Sequence, residues 1–275
     1  MNETERSPVT FAITIAALVF LFLPLVLVVL FSFHTLGTVT FPFEGFSLRW
    51  YRETLGNEIF RSSLWNSTIV AVSVSLVTLA IGTMAAYGLT RCTPRFRVPL
   101  ALLFFLPITL PGLFIGIAML VYLARLDVQL SLTTVALAHF VYVFPYFLLV
   151  AKAALDRLDP ALEEAAADLG ASPWKIFRKV TLPQIWPVLA GATALAFALS
   201  FDEFIITFFV VGPDPTLPLF VFSQLRRTVD PSINVVSTLL MSITFLVWVI
   251  AFLFVVRAAR GRAQAEDALL GGRAA

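Results

Sequence analysis

The sequence has a single cysteine, Cys92, few charged residues and only three lysines. One cysteine excludes an internal disulfide and a cysteine-rich metal cluster. Charged residues make up 13% of the chain, hydrophobic residues make up 59%, and the mean hydropathy is +0.93. An ordinary soluble domain has an apolar share of ~45–50%. The scarcity of charge therefore excludes a typical soluble domain and indicates a protein that crosses a membrane several times.

Motifs for catalysis and nucleotide hydrolysis are also missing. There is no G-x-x-x-x-G-K-[ST] phosphate loop, no lysine follows a glycine, and neither an H-E-x-x-H motif nor a nucleophile elbow occurs. We therefore expect no catalytic residue, no metal site and no cofactor bound by this chain. Arginines and lysines flank apolar runs instead of forming a patch, which argues against a nucleic-acid partner. The first apolar run is too long for a signal-peptide core and has no small-residue cleavage site after it.

The apolar residues form six runs long enough to cross a bilayer, for which about 20 residues are needed. Together they predict one all-α, polytopic membrane domain at residues 11–256, between an N-terminal tail at 1–10 and a charged C-terminal tail at 257–275. The predicted spans are residues 11–33, 64–89, 98–123, 133–155, 185–211 and 235–256.

Three of these spans contain residues that call for an explanation. Pro107 and Pro111 in the third span are expected to bend the helix without ending it. His139 in the fourth span could belong to a proton relay, but a hydrogen-bonded packing residue is the stronger interpretation. Asp202 and Glu203 in the fifth span are the only acidic residues inside a predicted span. Asp202 would lie roughly 25 Å along the helix from the start of that span, near its outer end.

The distribution of arginine and lysine predicts the orientation of the chain, since cytoplasmic segments carry the excess. Of the 19 arginines and lysines, 13 fall on the face that holds both termini and the segment between spans four and five. The other face holds six. Both termini and that segment, residues 156–184, are therefore expected in the cytoplasm.

The most distinctive polar stretch of the chain runs from Asp159 to Pro183 and is called the polar segment below. Asp159 can cap a helix that begins with Pro160, Gly170 can end it in a left-handed conformation, and Ser172 with Pro173 starts a second helix. We expect that second helix to end near Leu182 and Pro183. Both helices have an apolar stripe at helical spacing, formed by Leu158, Leu162, Ala165, Ala166 and Leu169 in the first and by Trp174, Phe177 and Val180 in the second.

Such stripes need a partner surface. From spacing alone, two interpretations stay open: an interfacial helix pair whose basic side meets anionic lipid, or a docking surface for a soluble protein.

The spacing within the polar segment resembles the EAA loop of binding-protein-dependent ABC importer permeases. The matching residues are Glu164, Ala165, Ala166, Gly170, Val180, Leu182 and Pro183. Glu164, and not Glu163, is six residues before Gly170, which fixes the register. Val180 stands where the family usually has isoleucine. The resemblance implies a type I ABC importer transmembrane domain whose loop inserts as a coupling helix pair into a separate ATP-binding subunit.

The likeness extends over much of the chain and is greatest to the C-type permeases of spermidine/putrescine importers. It includes the stretches LSFDEFIITFFVVGP, TLPLFVFSQLRR and PSINVVSTLL. It departs from them at Glu203, where a second aspartate is common, and at Val235-Val236. The resemblance implies a bacterial inner-membrane subunit that works with a second, distinct permease, two ATP-binding subunits that hold ATP and magnesium, and an extracytoplasmic substrate-binding protein.

As the only acidic residues in a predicted span, Asp202 and Glu203 are the first candidates for contact with a cationic substrate. The resemblance implies that Phe222 and Arg226 belong to the gate of the pathway. Two interpretations stay open for the carboxylates of Asp202 and Glu203. They could line a path for a cation, or they could reach the membrane interface or cap neighbouring backbone groups. We hypothesise that Arg226 pairs with an acid such as Asp202 in the closed state. Other functions consistent with the sequence are a permease for iron, thiamine or phosphonate and an ion-gradient-driven secondary transporter with His139, Asp202 and Glu203 as a relay.

Overall fold

A computed structural model describes residues 8–36, 42–226 and 231–271, with side chains described as far as residue 257. Within these residues the chain is helical, and its only strand-like pairing is an isolated bridge between His34 and Phe46. The chain divides into two compact units, Met1–Arg61 with Phe220–Ser242, and Ser62–Leu219 with Ile243–Ala275. Each unit is described by itself.

The first unit contains α1, Pro8–Ser32, and α2, Arg49–Gly56. The most apolar part of α1 has no buried residue, although its mean hydropathy is 3.1. Polar contacts connect the end of α1 to α2: Ser32 Oγ lies 2.8 Å from the Tyr51 hydroxyl, and Trp50 Nε1 donates to the carbonyl of His34 at 3.0 Å. A bare, strongly apolar helix of this length suits contact with lipid or with another apolar subunit.

The remaining elements follow in chain order, and three of them cross from one unit to the other. The helix α3 is the longest with all of its side chains described, and α12 continues beyond the last described side chain. The helices are α3 Glu58–Arg91, α4 Pro94–Phe105, α5 Gly112–Arg125, α6 Leu132–Leu155, α7 Pro160–Asp168, α8 Pro173–Ile176, α9 Leu182–Phe201, α10 Ile205–Val210, α11 Leu217–Leu225 and α12 Pro231–Gly271.

Among the described residues, five helices are long and apolar enough to span a membrane, and a bent pair makes a sixth candidate. The bent pair corresponds to the predicted span at residues 98–123. It consists of Pro94–Thr109 and Gly112–Arg125, which meet at 105°. The expected bend is thus a full interruption, because Pro107 and Pro111 both lack an N–H and a 3₁₀ turn, Leu106–Thr109, precedes the break.

The expectation that the second helix of the polar segment ends near Leu182 and Pro183 is wrong. A π-helical turn, Phe177–Thr181, joins α8 to α9, and the helix runs unbroken from Pro173 to Phe201. In the π turn the Leu182 N–H bonds to the Phe177 carbonyl, and the Gln184 side chain donates to the Val180 carbonyl at 2.8 Å. The shifted hydrogen bonding accommodates Pro183 inside the helix.

The expectation of one continuous fifth span at residues 185–211 is also wrong. Its helix ends at Phe201, and a short helix, α10, begins only at Ile205. Asp202 and Glu203 therefore lie in a break between two helices and not within one.

The core of the second unit is built mainly by α6, which packs along α9 and against α10. One buried cluster includes Val135, Ala138 and Val143 of α6 with Ile206 and Val210 of α10. The other joins α6 and α9 to the last part of α3 and contains Ala86, Phe147, Leu148, Ala151, Leu155, Ile185, Leu189 and Ala192. These clusters position the α9–α10 break and the residues at either end of the polar segment, Leu158 and Leu182.

The G-x-x-x-G pattern in the third predicted span is a contact within this chain. A Cβ built on Gly116 would lie 2.8 Å from Phe209 Cδ2 and 3.2 Å from Ile206 Cα, both in α10. A Cβ on Gly112 would lie 3.6 Å from the Ile206 side chain. The two glycines allow α5 to approach α10 closely, as small residues do in membrane helices.

Candidate functional site

The local structure of the polar segment follows its sequence closely. The Asp159 carboxylate accepts a hydrogen bond from the Ala161 N–H at 3.0 Å and so caps α7. Gly170 has φ +78°, a left-handed conformation that closes the helix with hydrogen bonds from Gly170 N to Ala167 O and from Ala171 N to Ala166 O. Ser172 and Pro173 then begin α8. These predicted caps and starts are confirmed.

The two predicted apolar stripes are only partly covered by the chain itself. Leu158 packs against the core cluster of α6 and α9, and Phe177 is buried. In contrast, Leu162 is 50% exposed, Leu169 is 89% exposed and Trp174 is 59% exposed. No residue of α7 is buried. The polar segment thus presents large apolar side chains on its surface, beside the basic residues of α8 and the π turn.

The seven residues of the EAA-like pattern are distributed between this surface and the body of the unit. Glu164, Ala165, Gly170 and Pro183 are exposed, whereas Ala166, Val180 and Leu182 are half-buried. Glu164 and Gly170 are therefore accessible to a partner, and Val180 and Leu182 pack in the turn that leads into α9.

Glu163, the neighbour of Glu164, faces the protein. Its Oε1 lies 2.7 Å from Arg91 Nη2 at the end of α3 and accepts a hydrogen bond from the Thr181 hydroxyl at 2.7 Å. Burial by itself raises the pKa of Glu163, but the hydrogen bonds from Arg91 and Thr181 and the charge of Arg91 hold that pKa below its ordinary value. The carboxylate is therefore ionised at neutral pH. These residues are called the Arg91–Glu163–Thr181 cluster below.

Aromatic rings extend this cluster along the same side. The Arg91 guanidinium lies 5.7 Å from the Tyr87 ring centroid, and Tyr87 lies 4.8 Å from Phe177. Trp174 stacks on Phe177 at 5.5 Å. The end of α3 and the π turn are thus joined by both a charge contact and ring contacts.

The second candidate site is the break between α9 and α10. Glu203 Oε1 accepts a hydrogen bond from the Ile206 N–H at 2.9 Å, and the Thr207 hydroxyl donates to the Glu203 carbonyl at 2.8 Å. Glu203 therefore caps the start of α10, which agrees with the backbone-capping alternative for this carboxylate. Asp202 ends α9 and its side chain is exposed. An acidic side chain at a helix break in a membrane protein is typical of a substrate or ion site.

The His139 side chain contacts both helices that flank this break, α9 and α10. Its Nδ1 lies 2.9 Å from the Ser200 hydroxyl in α9, and its Nε2 lies 2.8 Å from the Thr207 hydroxyl in α10. The side chain is buried, at 1% exposure. The prediction of a hydrogen-bonded packing residue is confirmed. A further hydrogen bond, from the Thr134 hydroxyl to the Val210 carbonyl at 2.8 Å, holds the end of α10 to α6.

Phe222 lies on α11, and Arg226 directly follows the last residue of that helix; both belong to the first unit. The Arg226 guanidinium lies 4.4 Å from the centroid of the Phe222 ring, one helical turn away. Phe222 is half-buried and Arg226 is exposed. The predicted gate residues are thus in contact with each other, and their role and the hypothesised pairing of Arg226 with Asp202 stay predictions.

Within the described ranges, no group of three or more histidine, cysteine, aspartate or glutamate side chains could hold a metal ion. The expectation that this chain binds no metal or cofactor is not tested by this observation. The chemistry available at the two candidate sites is that of carboxylates, hydroxyls, one imidazole and aromatic rings.

Sequence reasoning missed the contact between Arg91 and Glu163. The two residues belong to separate elements. The spacing of the EAA-like pattern assigns the glutamate of that pattern to Glu164 and not to Glu163. One signal was available: adjacent helical residues point about 100° apart, so of two neighbouring glutamates in an amphipathic helix only one can face outward. Arg91, two residues after the end of the predicted second span, was then a candidate partner.

Comparison with known proteins finds matches that cover most of this chain. Residues 78–264 match the model of the binding-protein-dependent transport system inner membrane component. The chain is 35% identical over 266 residues to the putrescine transport system permease protein PotI of Escherichia coli (strain K12), covering 94% of each chain. It is 29% identical over 239 residues to the spermidine/putrescine transport system permease protein PotC of the same strain, covering 86% of this chain and 90% of that protein.

A solved structure shares the fold. A chain of a bacterial ABC transporter involved in the import of the acidic polysaccharide alginate superposes with a TM-score of 0.69, at 12% identity, covering 94% of this chain and 96% of that one. The prediction of an all-α ABC importer transmembrane domain is thereby confirmed.

Proposed function

This chain belongs to the family of inner membrane components of binding-protein-dependent transport systems, and we propose that it forms half of the membrane pathway of an ATP-driven polyamine importer. As a member of this family it is a transport subunit and not an enzyme, and ATP hydrolysis belongs to a separate subunit. This chain lies in the inner membrane and works with a substrate-binding protein.

The proposed assembly has four further polypeptides around this chain. A second, distinct permease completes the pathway, two ATP-binding subunits hold ATP and magnesium, and an extracytoplasmic binding protein delivers the substrate. The distribution of arginine and lysine supports an orientation with both termini and the polar segment in the cytoplasm.

The proposed docking surface for the ATP-binding subunit is the exposed face of the polar segment. Leu162, Leu169 and Trp174 supply accessible apolar area of the kind that protein interfaces bury. Glu164 and Gly170 are exposed beside them, and the unbroken helix from Pro173 to Phe201 connects this surface to the membrane part. A displacement of the polar segment would therefore be passed directly to α9.

The proposed substrate is a polyamine, because the two named relatives transport putrescine or spermidine/putrescine. A polyamine carries several ammonium groups, for which a carboxylate in a low-dielectric pathway is a suitable partner. Asp202, exposed at the α9–α10 break, is the primary candidate for this contact. Glu203 supports the break by capping α10, and Phe222 with Arg226 is proposed as part of the outer gate.

Alternating access in this proposal begins when ATP brings the two ATP-binding subunits together. The polar segments of both permeases move with them, and the pathway changes from inward-facing to outward-facing. The binding protein then releases its substrate into the opened cavity, where Asp202 meets the ammonium group. Hydrolysis of ATP by the partner subunits returns the pathway to the inward-facing state.

The observation that carries the proposal is the exposed, EAA-like surface of the polar segment, and co-purification tests it. The native chain should retain its ATP-binding subunit in detergent, and Glu164→Lys or Gly170→Asp should lose it. Gly56→Asp is a matched control, because a Cβ at Gly56 meets nothing within 4 Å, whereas Gly170 has a positive φ. Retention of the ATPase by both Glu164→Lys and Gly170→Asp would remove the docking assignment.

A further inference from the structure

The Arg91–Glu163–Thr181 cluster joins three elements at one carboxylate oxygen. Arg91 is in the last turn of α3, Glu163 is in the first turn of α7, and Thr181 is the last residue of the π turn that continues into α9. Glu163 is 16% exposed and Arg91 is 35% exposed at the side chain, and Thr181 is fully buried. Charge-assisted hydrogen bonds of this kind are about twice as strong as those between neutral groups.

The cluster matters because it adds a charged link to α3 to the contacts that α7 makes with α8 and the π turn. No residue of α7 is buried, so no hydrophobic core fixes its angle. Its neighbours along the chain are the loop after α6 and the left-handed turn at Gly170. The contacts of Glu163 with Arg91 and Thr181 link α7 through a side chain to the end of α3 and to the turn that continues into α9.

Glu163 and Glu164 also differ in direction. Glu164 is exposed, whereas Glu163 is directed at α3 and the π turn. The two adjacent carboxylates can therefore act on different partners, with Glu164 available to another protein and Glu163 committed to this chain. Removing the charge of Glu163 should leave the exposed apolar surface of the polar segment in place.

We propose that Arg91 and Glu163 are positioning residues that hold α7 to the ends of α3 and α9 and pass its displacement to both helices. This inference rests on the proposed function, since it assumes that an ATP-binding subunit displaces α7. It assigns the cluster to coupling within this chain and not to docking of the partner. The π turn contributes by placing Thr181 where its hydroxyl reaches Glu163.

The test compares docking with coupling in the reconstituted complex of permeases, ATP-binding subunits and binding protein. The variants are Glu163→Gln, Arg91→Gln and Thr181→Val, each with a conservative counterpart or control. Arg91→Lys keeps the charge, Thr181→Ser keeps the hydroxyl, and Arg95→Ala removes an exposed arginine four residues away. The readouts are co-purification of the ATPase, substrate transported per ATP hydrolysed, and stimulation of ATPase by loaded binding protein.

We expect Glu163→Gln and Arg91→Gln to retain the ATPase but to transport roughly fivefold less substrate per ATP, the size expected when a partly exposed ion pair is lost. Arg91→Lys and Thr181→Ser should recover most of the native ratio of substrate transported to ATP hydrolysed. Arg95→Ala should leave that ratio unchanged. The double variant Arg91→Glu with Glu163→Arg restores the attraction and should recover coupling above either single variant. Thermal melting of each complex distinguishes this loss from misfolding.

Two results would overturn the inference. A normal transport-to-ATP ratio in Glu163→Gln would show that the cluster does not transmit displacement. Loss of the ATPase from Glu163→Gln but not from Arg91→Gln would make Glu163 a direct docking residue. Failure of the proposed function gives a different result, because the native chain would then retain no ATPase at all.

Discussion

His139 Nε2 lies 2.8 Å from the Thr207 hydroxyl while His139 Nδ1 lies 2.9 Å from the Ser200 hydroxyl, so one imidazole joins the two helices on either side of the α9–α10 break. A neutral imidazole donates from one nitrogen and accepts at the other, which matches two hydroxyl partners. This arrangement explains a histidine in a membrane span without a proton relay.

Replacing His139 should destabilise the protein. His139→Ala removes one hydrogen-bond partner from each of the two buried hydroxyls and opens a cavity. We expect a loss of about 1–3 kcal/mol with a lower Tm in detergent. Thr133→Ala is the matched control, because Thr133 lies on the same helix with an exposed side chain. An unchanged Tm for His139→Ala would show that the bridge adds nothing to stability.

The close approach of α5 to α10 depends on Gly116. Gly116→Ala places a methyl group 2.8 Å from Phe209 and 3.2 Å from the Ile206 backbone, and the resulting overpacking should cost ~1–3 kcal/mol. Gly191→Ala provides the control, since a Cβ there meets nothing within 4 Å. Thermal melts of both variants should separate them, with Gly191→Ala close to the native protein. Equal Tm values would contradict the packing of these two helices.

The ion pair of Glu163 makes stability depend on pH. Its pKa is lowered in the folded protein, so the unfolded chain binds the proton more readily. The stabilisation is therefore complete above the ordinary glutamate value of 4.5 and is lost as pH falls through the lowered value. Because Arg91 is about a third exposed, the effect should be modest, about 1 kcal/mol or less.

Melting curves of the native protein and Glu163→Gln over this acidic range measure the effect. The difference in Tm between them should be largest near neutral pH and should shrink as the pH falls. A constant difference across the whole range would show that the charge of Glu163 is not its source. Asp168→Asn, which changes an exposed carboxylate of the same helix, should give no such trend.

Asp202 is expected to set the affinity of the pathway for the cation. In reconstituted transport, Asp202→Asn should reduce uptake of putrescine by about tenfold, because an ammonium group in the pathway would lose its charged partner. Asp214→Asn is the control, as Asp214 is an exposed carboxylate in the following loop. Glu203→Gln should keep more activity, because the amide oxygen can still accept from the Ile206 N–H. Full uptake by Asp202→Asn would assign the substrate contact elsewhere.

The pairing of Arg226 with an acid is tested by a double variant. If Arg226 pairs with Asp202 in the closed state, Arg226→Ala and Asp202→Asn should each let substrate leak, and the double variant should leak no more than either single variant. Normal uptake by that double variant would argue against the pairing. The contact of Arg226 with Phe222 provides a separate control, since Phe222→Leu removes the ring and keeps the charge.

Local signals in the sequence were sufficient for the caps of the polar segment. Asp159 and Gly170 act on backbone groups within a few residues, so their roles follow from residue type and spacing. The apolar surface could be predicted equally well, because Leu162 and Trp174 each belong to an apolar stripe at helical spacing within a polar stretch. These features needed no knowledge of tertiary contacts.

Features that depend on distant contacts could not be predicted in the same way. The break after Phe201 has no proline or glycine to mark it, and α10 is held in place by its packing against α5 and α6. The cap that Glu203 provides is local, and backbone capping was one of the two alternatives for this carboxylate. Pro183 indicated the end of a helix, but the π turn and the Gln184 side chain accommodate it. The partnership of Arg91 and Glu163 likewise depends on how α3 and α7 come together.

The central claim is that this chain moves a polyamine by coupling to ATP hydrolysed on another subunit. Uptake of labelled putrescine by vesicles that contain both permeases, the ATP-binding subunits and the binding protein tests it most directly. We expect uptake that requires ATP and the binding protein, that persists when ion gradients are collapsed, and that Glu164→Lys abolishes. Uptake driven by an ion gradient in vesicles without the ATP-binding subunits would contradict it.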